Sequence, residues 1–486
     1  MKSSSRHKKN RLPSVWLSFV PVAVLVSALF FSVWTFGTST LDGASQLSLL
    51  LAGGVAAAIG VVACRLKWAD MEKSIVSGIG DVMPSILILL AIGALSGAWM
   101  ASGIVPGFIY YGMKMIHPQF FPATACIVCA LVSMMTGSSW TTIATIGLAL
   151  IGIGKAQGFD PGLVAGAIVS GSYFGDKMSP LSDTTVLTAS VTETPLFTHI
   201  RYMMWTTVPA MAVALAVFAV LGFSHEAAST ERMTLIAEGL ASKFNITPWV
   251  FAVPVLTVAM VAFRTPSLVA LPISAALGAL YAVAFQAEAL ADVADGGGAV
   301  KGAVKSLYGS ISFSFEDKTL AELTGSGGMS GMLNTVWLII CAMVFGGVMK
   351  ATQMLESITT LFMHLIRGCT TMVAATVASG TFFNMVLADQ YLSIVVTGGM
   401  YMPIYRSKGF EARLLSRTTE DAVTVTCPLI PWSTCGMTQA TMLNVPTLVY
   451  MPYSFFNLLC PVFTLAIAAA GIGIARVRLN LSQESS

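Results

Sequence analysis

The chain has 486 residues, of which 55% are hydrophobic and only 10% charged, with a formal net charge of +3. Soluble domains carry about 25% charged residues, so this composition excludes a soluble globular protein and reads as an all-α polytopic membrane protein embedded in the lipid bilayer. No basic patch with interleaved aromatics points to nucleic acid as a partner, and the alternating pattern of a membrane barrel is missing.

A basic start (Lys2, Arg6, Lys8, Lys9, Arg11) precedes the first apolar run. With no small-residue cleavage site after it, this run reads as a retained first helix. Segments that approach the ~20 residues needed to span a bilayer are expected at 14–36, 45–64, 79–101, 161–190, 202–223, 247–264, 267–288, 333–352, 418–440 and 447–474. The fourth and ninth are interrupted. Two shorter segments, 103–117 and 354–367, read as interfacial connectors. Two further stretches, 121–150 and 369–397, are apolar at both ends with polar, Gly-rich middles, Thr136–Thr142 in one and Gly380–Asn384 followed by Asp389 and Gln390 in the other. These read as re-entrant hairpins, with the oxygen donors Ser138 and Asn384 at their tips. Non-helical backbone at membrane depth needs protein or a watery cavity around it.

The order of elements repeats. Ser96, Gly97, Ile104 and Val105 match Gly346, Gly347, Met354 and Leu355 at one offset. Thr136-Gly137-Ser138 resembles Ser379-Gly380-Thr381, and Ser179-Pro180-Leu181 resembles Cys427-Pro428-Leu429. The expected architecture is about ten transmembrane helices in two inverted five-crossing repeats, 1–223 and 247–486, each with a re-entrant hairpin and a broken helix. Inverted repeats with discontinuous helices are a secondary-transporter arrangement. The loops 224–246 and 289–332 are expected outside, the second as a partly flexible link. With both termini cytoplasmic, 18 of the 26 Lys and Arg residues fall inside and seven outside, which follows the positive-inside rule and places the chain in the plasma (inner) membrane. Only Lys177 is left within the membrane.

Lys177 belongs to the stretch with the densest polarity, Gly171 to Thr185, which holds Asp176, Lys177, Ser179, Asp183, Thr184 and Thr185. An ionised group at the bilayer centre costs at least ~2.5–3.5 kcal/mol on insertion scales, so three in fifteen residues call for a function. Pro180 cannot donate a backbone hydrogen bond, and Gly171 and Gly175 weaken the helix, so a break with freed carbonyls is expected. Asp176 and Asp183, seven apart, fall on one helical face. Carboxylates, hydroxyls and carbonyls are hard oxygen ligands suited to Na⁺ and H⁺, and a proton and a cation compete for one carboxylate. In the second half, Glu420 and Asp421 open a segment with Pro428, Pro431 and Thr434. Glu420 and Asp421 read either as surface helix caps beside Arg413 and Arg417 or as part of an ion site. Asp389, just after an apolar run, reads as a site residue. The eight cysteines read as packing residues, and no cofactor, metal-enzyme or nucleophile motif marks the chain as an enzyme.

The stretch Gly-Ser-Tyr-Phe-Gly-Asp-Lys-Met-Ser-Pro-Leu-Ser-Asp-Thr-Thr (171–185) resembles the signature of the NhaC family of Na⁺/H⁺ antiporters. So do Phe197-Thr-His-Ile-Arg201, Asp389-Gln-Tyr-Leu-Ser393, Pro428-Leu-Ile-Pro-Trp432 and Pro452-Tyr-Ser-Phe-Phe-Asn457. The resemblance implies an ion-transporter fold, a homodimer with an elevator-like motion, and exchange of Na⁺ for H⁺, or in some members coupling of both ions to malate and lactate. It makes Asp176 and Asp183 the first candidates for cation and proton binding, with Ser179, Thr184 and Thr185 secondary. Where the pattern implies an Asn after the paired threonines, this chain has Val186.

Overall fold

A computed structural model describes residues 13–36, 43–224, 230–315, 317–364 and 366–476. The basic start of the chain, most of the first outside loop's beginning and Arg478 lie outside the described residues. Among the described residues nine helices are long and apolar enough to cross a membrane, and two bent pairs meet the same test together. Those pairs are Arg232–Lys243 with Pro248–Ala262, bent by 86°, and Thr447–Tyr453 with Phe455–Ala469, bent by 56°. The regular structure of the described residues is helical, with only isolated bridges such as Ile311 with Ser326 besides, as expected for backbone that must satisfy its own hydrogen bonds in lipid.

Several boundaries differ from the sequence reading. The third span is a 34-residue helix, Trp68–Ala101, which starts well before the expected 79. The 224–246 segment carries the helix Thr230–Lys243. The 289–332 segment is built rather than a link: it contains Ala287–Val293, Gly298–Tyr308 and Lys318–Thr324. It seats its backbone on the long third helix, where a Cβ on Gly97 would stand 1.8 Å from the Ser306 carbonyl oxygen.

The two halves share a sequence of local features. Gly103 and Gln353, 250 residues apart, both take positive φ (74° and 56°) and start the short helices Ile104–Met115 and Met354–His364. Gly137 and Ala388, 251 apart, both take positive φ (68° and 54°) at the corners of the two hairpins. The next residues, Ser138 and Asp389, cap the returning arms by accepting from the Thr141 and Leu392 amides at 3.2 and 2.9 Å. The second corner is therefore at Ala388–Asp389 and not at Gly380–Asn384, because Cys369–Leu387 stays helical through Gly380. The partner of Gly137 is Ala388, and the similarity of 136–138 to 379–381 marks no structural equivalence.

The two broken helices run between these hairpins. The first is Pro161–Met178 and Asp183–Val191, with its gap at Ser179–Ser182. The second is Ala412–Thr419 continued by a π turn at Glu420–Thr424, a short 3₁₀ turn at Cys427–Leu429, and Thr434–Leu443. Each hairpin corner meets the break of its own half. A Cβ on Gly137 would lie 2.7 Å from Leu181 backbone, and the Thr434 amide donates to the Ala388 carbonyl at 2.8 Å. This sets both corners at the depth of the breaks.

Gly171 and Gly175 do not weaken the first broken helix, which continues through both to Met178. They are the surface on which it packs: a Cβ at either would come within 2.1–2.2 Å of the Cys126 or Ala130 carbonyl oxygen on Phe121–Thr136. With little hydrophobic drive between helices in lipid, small residues four apart gain stability by letting backbones approach. Gly171→Ala is expected to cost about 1–3 kcal/mol through overpacking, read as a lower thermal midpoint of the detergent-solubilised protein. An unchanged midpoint would contradict this packing.

Candidate functional site

The breaks leave carbonyls without helical partners, and the chain satisfies most of them internally. At the first break the Asp176 carbonyl accepts from the Ser179 amide at 3.0 Å, and the Thr185 hydroxyl donates to the Lys177 carbonyl at 3.2 Å. At the second, Asn384 donates to the Val423 carbonyl (2.7 Å), Asn457 to Val425 (2.8 Å), Ser433 to Cys427 (2.6 Å) and Tyr450 to Pro428 (2.6 Å). The freed carbonyls expected as ion ligands are therefore engaged by side chains at the second break. What remains for ion chemistry is side-chain oxygen.

Those oxygens form two clusters joined by one helical turn. The first is open to a cavity of about 500 Å³. Asp176 borders it with its side chain nearly buried and accepts from the Ser139 hydroxyl at 2.7 Å. Ser138, Thr184 and Asp183 line the same cavity, as do Tyr391 and Arg264. Thr184 shares a hydrogen bond with Ser182 at 3.0 Å, and Ser182 caps the second half-helix through the Thr185 amide. Asp183 is the first residue of that half-helix and is exposed. The expectation that Asp176 and Asp183 share a helical face fails, because the helix stops between them; the cavity, not helical periodicity, brings them together. Ser179 is spent within the break, its hydroxyl accepting from the Leu181 amide at 3.2 Å. Val186 is exposed.

The second cluster is sealed. Lys177, the residue after Asp176, points the other way and forms an ion pair with Asp421 of the second broken helix, both fully buried. Asp421 also accepts from Thr464, while the Cys460 thiol lies 3.1 Å from the Lys177 ammonium and 3.3 Å from the Asp421 carboxylate. The Phe456 ring stands 6.0 Å from the same ammonium. Glu420 beside it is fully buried too, so the surface-cap alternative for Glu420 and Asp421 is excluded. A buried pair like this costs desolvation that its Coulomb attraction only partly offsets, which favours its retention for specificity or function over stability.

The remaining expected residues sit apart from both clusters. Asp389 is buried as the cap of the second hairpin's returning arm, and Thr434 ties that corner to the second break. Asn384 is in a helical arm and not at a tip, where it braces Val423 and Thr426. Sequence reasoning missed Cys460 and Thr464, which carry no signal beyond an apolar context, and Arg264, which reads only as an inner loop charge. Ser139 stood beside the chosen Ser138, but only the fold shows which of the two meets Asp176.

The sequence matches known proteins across most of its length. The model of the "Na+/H+ antiporter family" matches residues 5–172 and 171–472. The malate-2H(+)/Na(+)-lactate antiporter of Bacillus subtilis (strain 168) is 33% identical over 93% of this chain and 93% of its own. The Na(+)/H(+) antiporter NhaC of the same organism is 36% identical over 82% of this chain and 87% of its own. The NhaC protein of Alkalihalophilus pseudofirmus is 33% identical over 85% and 87%.

Lys177→Met alone is expected to leave Asp421 uncompensated and to destabilise the protein by about 3–5 kcal/mol. The double variant Lys177→Met, Asp421→Leu should recover most of the thermal midpoint in detergent. Equal midpoints for the single and double variants would show that the pair is not coupled.

Proposed function

The chain belongs to the Na⁺/H⁺ antiporter family, and from that premise we propose that it exchanges Na⁺ for H⁺ at the Asp176 carboxylate, with the two broken helices as the moving boundary of the site. The observation that carries this reading is the position of Asp176 at the edge of a cavity, with Ser139 on its carboxylate. The proposed cation set is Asp176 with Ser139, and Asp183 and Thr184 line the approach. Hard oxygen donors of this kind suit a Na⁺ ion. A proton bound to the carboxylate removes the charge that attracts Na⁺, so each ion displaces the other, which is the minimum requirement for exchange.

Coupling to the second half runs through adjacent residues. Asp176 faces the cavity, and Lys177, one residue on, holds Asp421. A rigid-body shift of the half-helix Pro161–Met178 that carries Asp176 to the other side must break or drag the Lys177–Asp421 pair. In this reading both termini are cytoplasmic, the repeats are inverted, and the protein works as a homodimer in which one part of each subunit moves against a fixed scaffold. These features are supported by the positive-inside bias and by the family resemblance.

A second reading, coupled exchange of a small organic acid, has one observation in its favour. The cavity of about 500 Å³ exceeds what a bare ion needs, and Arg264 lines it together with the two acids. Guanidinium groups in general bind carboxylates in a two-pronged geometry. Lys177 is not available for this role, since Asp421 holds it. One relative carries the name of a malate and lactate antiporter, and two carry the name of Na⁺/H⁺ antiporters, so plain Na⁺/H⁺ exchange is the preferred function.

The test is transport in proteoliposomes that enclose a pH-sensitive dye. An inward Na⁺ gradient alone is expected to drive proton efflux. A signal that appears only after malate or lactate is added would replace the first reading with the second. Asp176→Asn is expected to abolish exchange at unchanged expression and thermal midpoint; normal exchange in that variant would remove Asp176 from the site.

A further inference from the structure

The Glu420 carboxylate is fully buried, and neither of its oxygens has a hydrogen-bond partner among the described residues. Buried charges in proteins are paired or coordinate metals, and an isolated one carries a large desolvation penalty. The cations of the region do not meet it. Lys177 holds Asp421, and Arg417 lies over the Tyr202 ring, 4.8 Å from its centroid, without a hydrogen bond on any guanidinium nitrogen. Protonation alone removes the charge but not the deficit, because a buried carboxylic acid has an O–H to donate and finds no acceptor here. A partner that cancels one negative charge and engages both oxygens answers both demands.

The oxygens around Glu420 are orphaned too. The Thr188 and Thr424 hydroxyls are its neighbours, near enough to bear on its charge, yet both are buried and neither closes a hydrogen bond. Thr188 comes from the half-helix Asp183–Val191, and Thr424 ends the π turn that Glu420 begins. The helix Gln390–Ser407 packs on both elements and adds two more unpartnered hydroxyls, Ser393 and Thr397. A Cβ on Gly380 would stand 3.7 Å from the Thr397 oxygen and closer still to Ala422 and Val423, which sets Thr397 against the π turn. Most buried polar groups in native proteins have a partner. Unpartnered hydroxyls gathered at an unpartnered carboxylate fit one shared partner, since oxygens that surround a cation turn their lone pairs to it and not to each other. The set is hard and carries a single negative charge, which suits Na⁺, whereas Ca²⁺ takes more oxygens, often from several carboxylates. Among the described residues no group of three or more acids, histidines or cysteines gathers for a multivalent metal. Asp176, at the edge of the cavity, is the acid within electrostatic reach of Glu420, so the set lies behind the cavity and next to the Asp176 site.

We propose that Glu420, Thr188 and Thr424 form a second Na⁺ site, buried behind the Asp176 site. This rests on the Na⁺/H⁺ exchange reading and adds to it a station that the Asp176 site does not contain. Glu420 supplies the charge, and the two hydroxyls supply neutral oxygens from either side. Because Thr188 belongs to the first broken helix and Glu420 and Thr424 to the second, an ion held here joins the two broken helices, beside the Lys177–Asp421 pair that also joins them.

The test is binding of radiolabelled Na⁺ to the full-length protein in detergent, with choline as the replacement ion, in variants that remove the two sites one at a time. Asp176→Asn is expected to keep a saturable Na⁺ site. Adding Glu420→Gln to it should abolish that site, and adding Thr424→Val instead should weaken it by about tenfold or more. Thermal midpoints taken without Na⁺ establish that each variant is folded. No saturable binding to Asp176→Asn overturns the proposal, and so does binding that keeps its affinity after Glu420→Gln is added. Should the Glu420→Gln protein not be recovered from the membrane, Thr424→Val and Thr188→Val decide, each placed on Asp176→Asn and each exchanging a hydroxyl for a methyl. Weaker binding supports the proposal; unchanged affinity in both overturns it. Exchange is followed in parallel in the dye-loaded vesicles. Wild-type vesicles without Na⁺/H⁺ exchange would count against the proposed function, while Na⁺ binding to Asp176→Asn still decides the second site.

Discussion

The structure depends on interrupting two helices in a medium that forbids unpaired backbone. Each gap exposes carbonyls and amides that lipid cannot satisfy. The second half meets this demand with Asn384, Asn457, Ser433 and Tyr450, one side chain for each orphaned carbonyl. Hairpin corners complete the enclosure, with Gly137 against Leu181 and Ala388 bonded to Thr434. Polar residues that look like ion ligands in a list are in several cases structural closures of a broken helix.

Removing those closures from the ligand pool narrows the site. Asp176, Ser139 and Asp183 share a cavity, and Lys177, Asp421 and Thr464 share a fully buried interface. The boundary between cavity and buried interface falls between residues 176 and 177, on opposite sides of one helical turn. The first broken helix thus faces a cavity on one side and is tied to the other half of the protein on the other. The close fit of Gly171 and Gly175 on the hairpin arm packs that half-helix tightly against its own hairpin. The π turn at Glu420–Thr424 adds an irregular element to the facing helix.

Membrane insertion, helix content, the interruptions at Ser179–Ser182 and Ile430–Ser433, and the choice of Asp176, Lys177, Glu420 and Asp421 as unusual were legible in the sequence, because charge and proline are scarce in lipid-facing helices and stand out there. The hairpin corner at Ala388 was not, since an alanine in the left-handed region has no compositional sign, while Gly380 offers a false one in the middle of a helix. Asp183 illustrates the same limit: counting along a helix assumes that the helix continues.

By itself, then, the sequence determined what the medium imposes: all-helical spans, two breaks marked by proline, and charges too costly to be accidental. Only the tertiary structure decided which charges meet. Lys177 and Asp421 are 244 residues apart, and no local pattern encodes their pairing, because it arises where two separate half-helices end at the same depth. Equally, only the fold shows that Arg417 and Glu420, close in sequence and matched in charge, are both buried without forming an ion pair, because Arg417 rests on the Tyr202 ring of another helix.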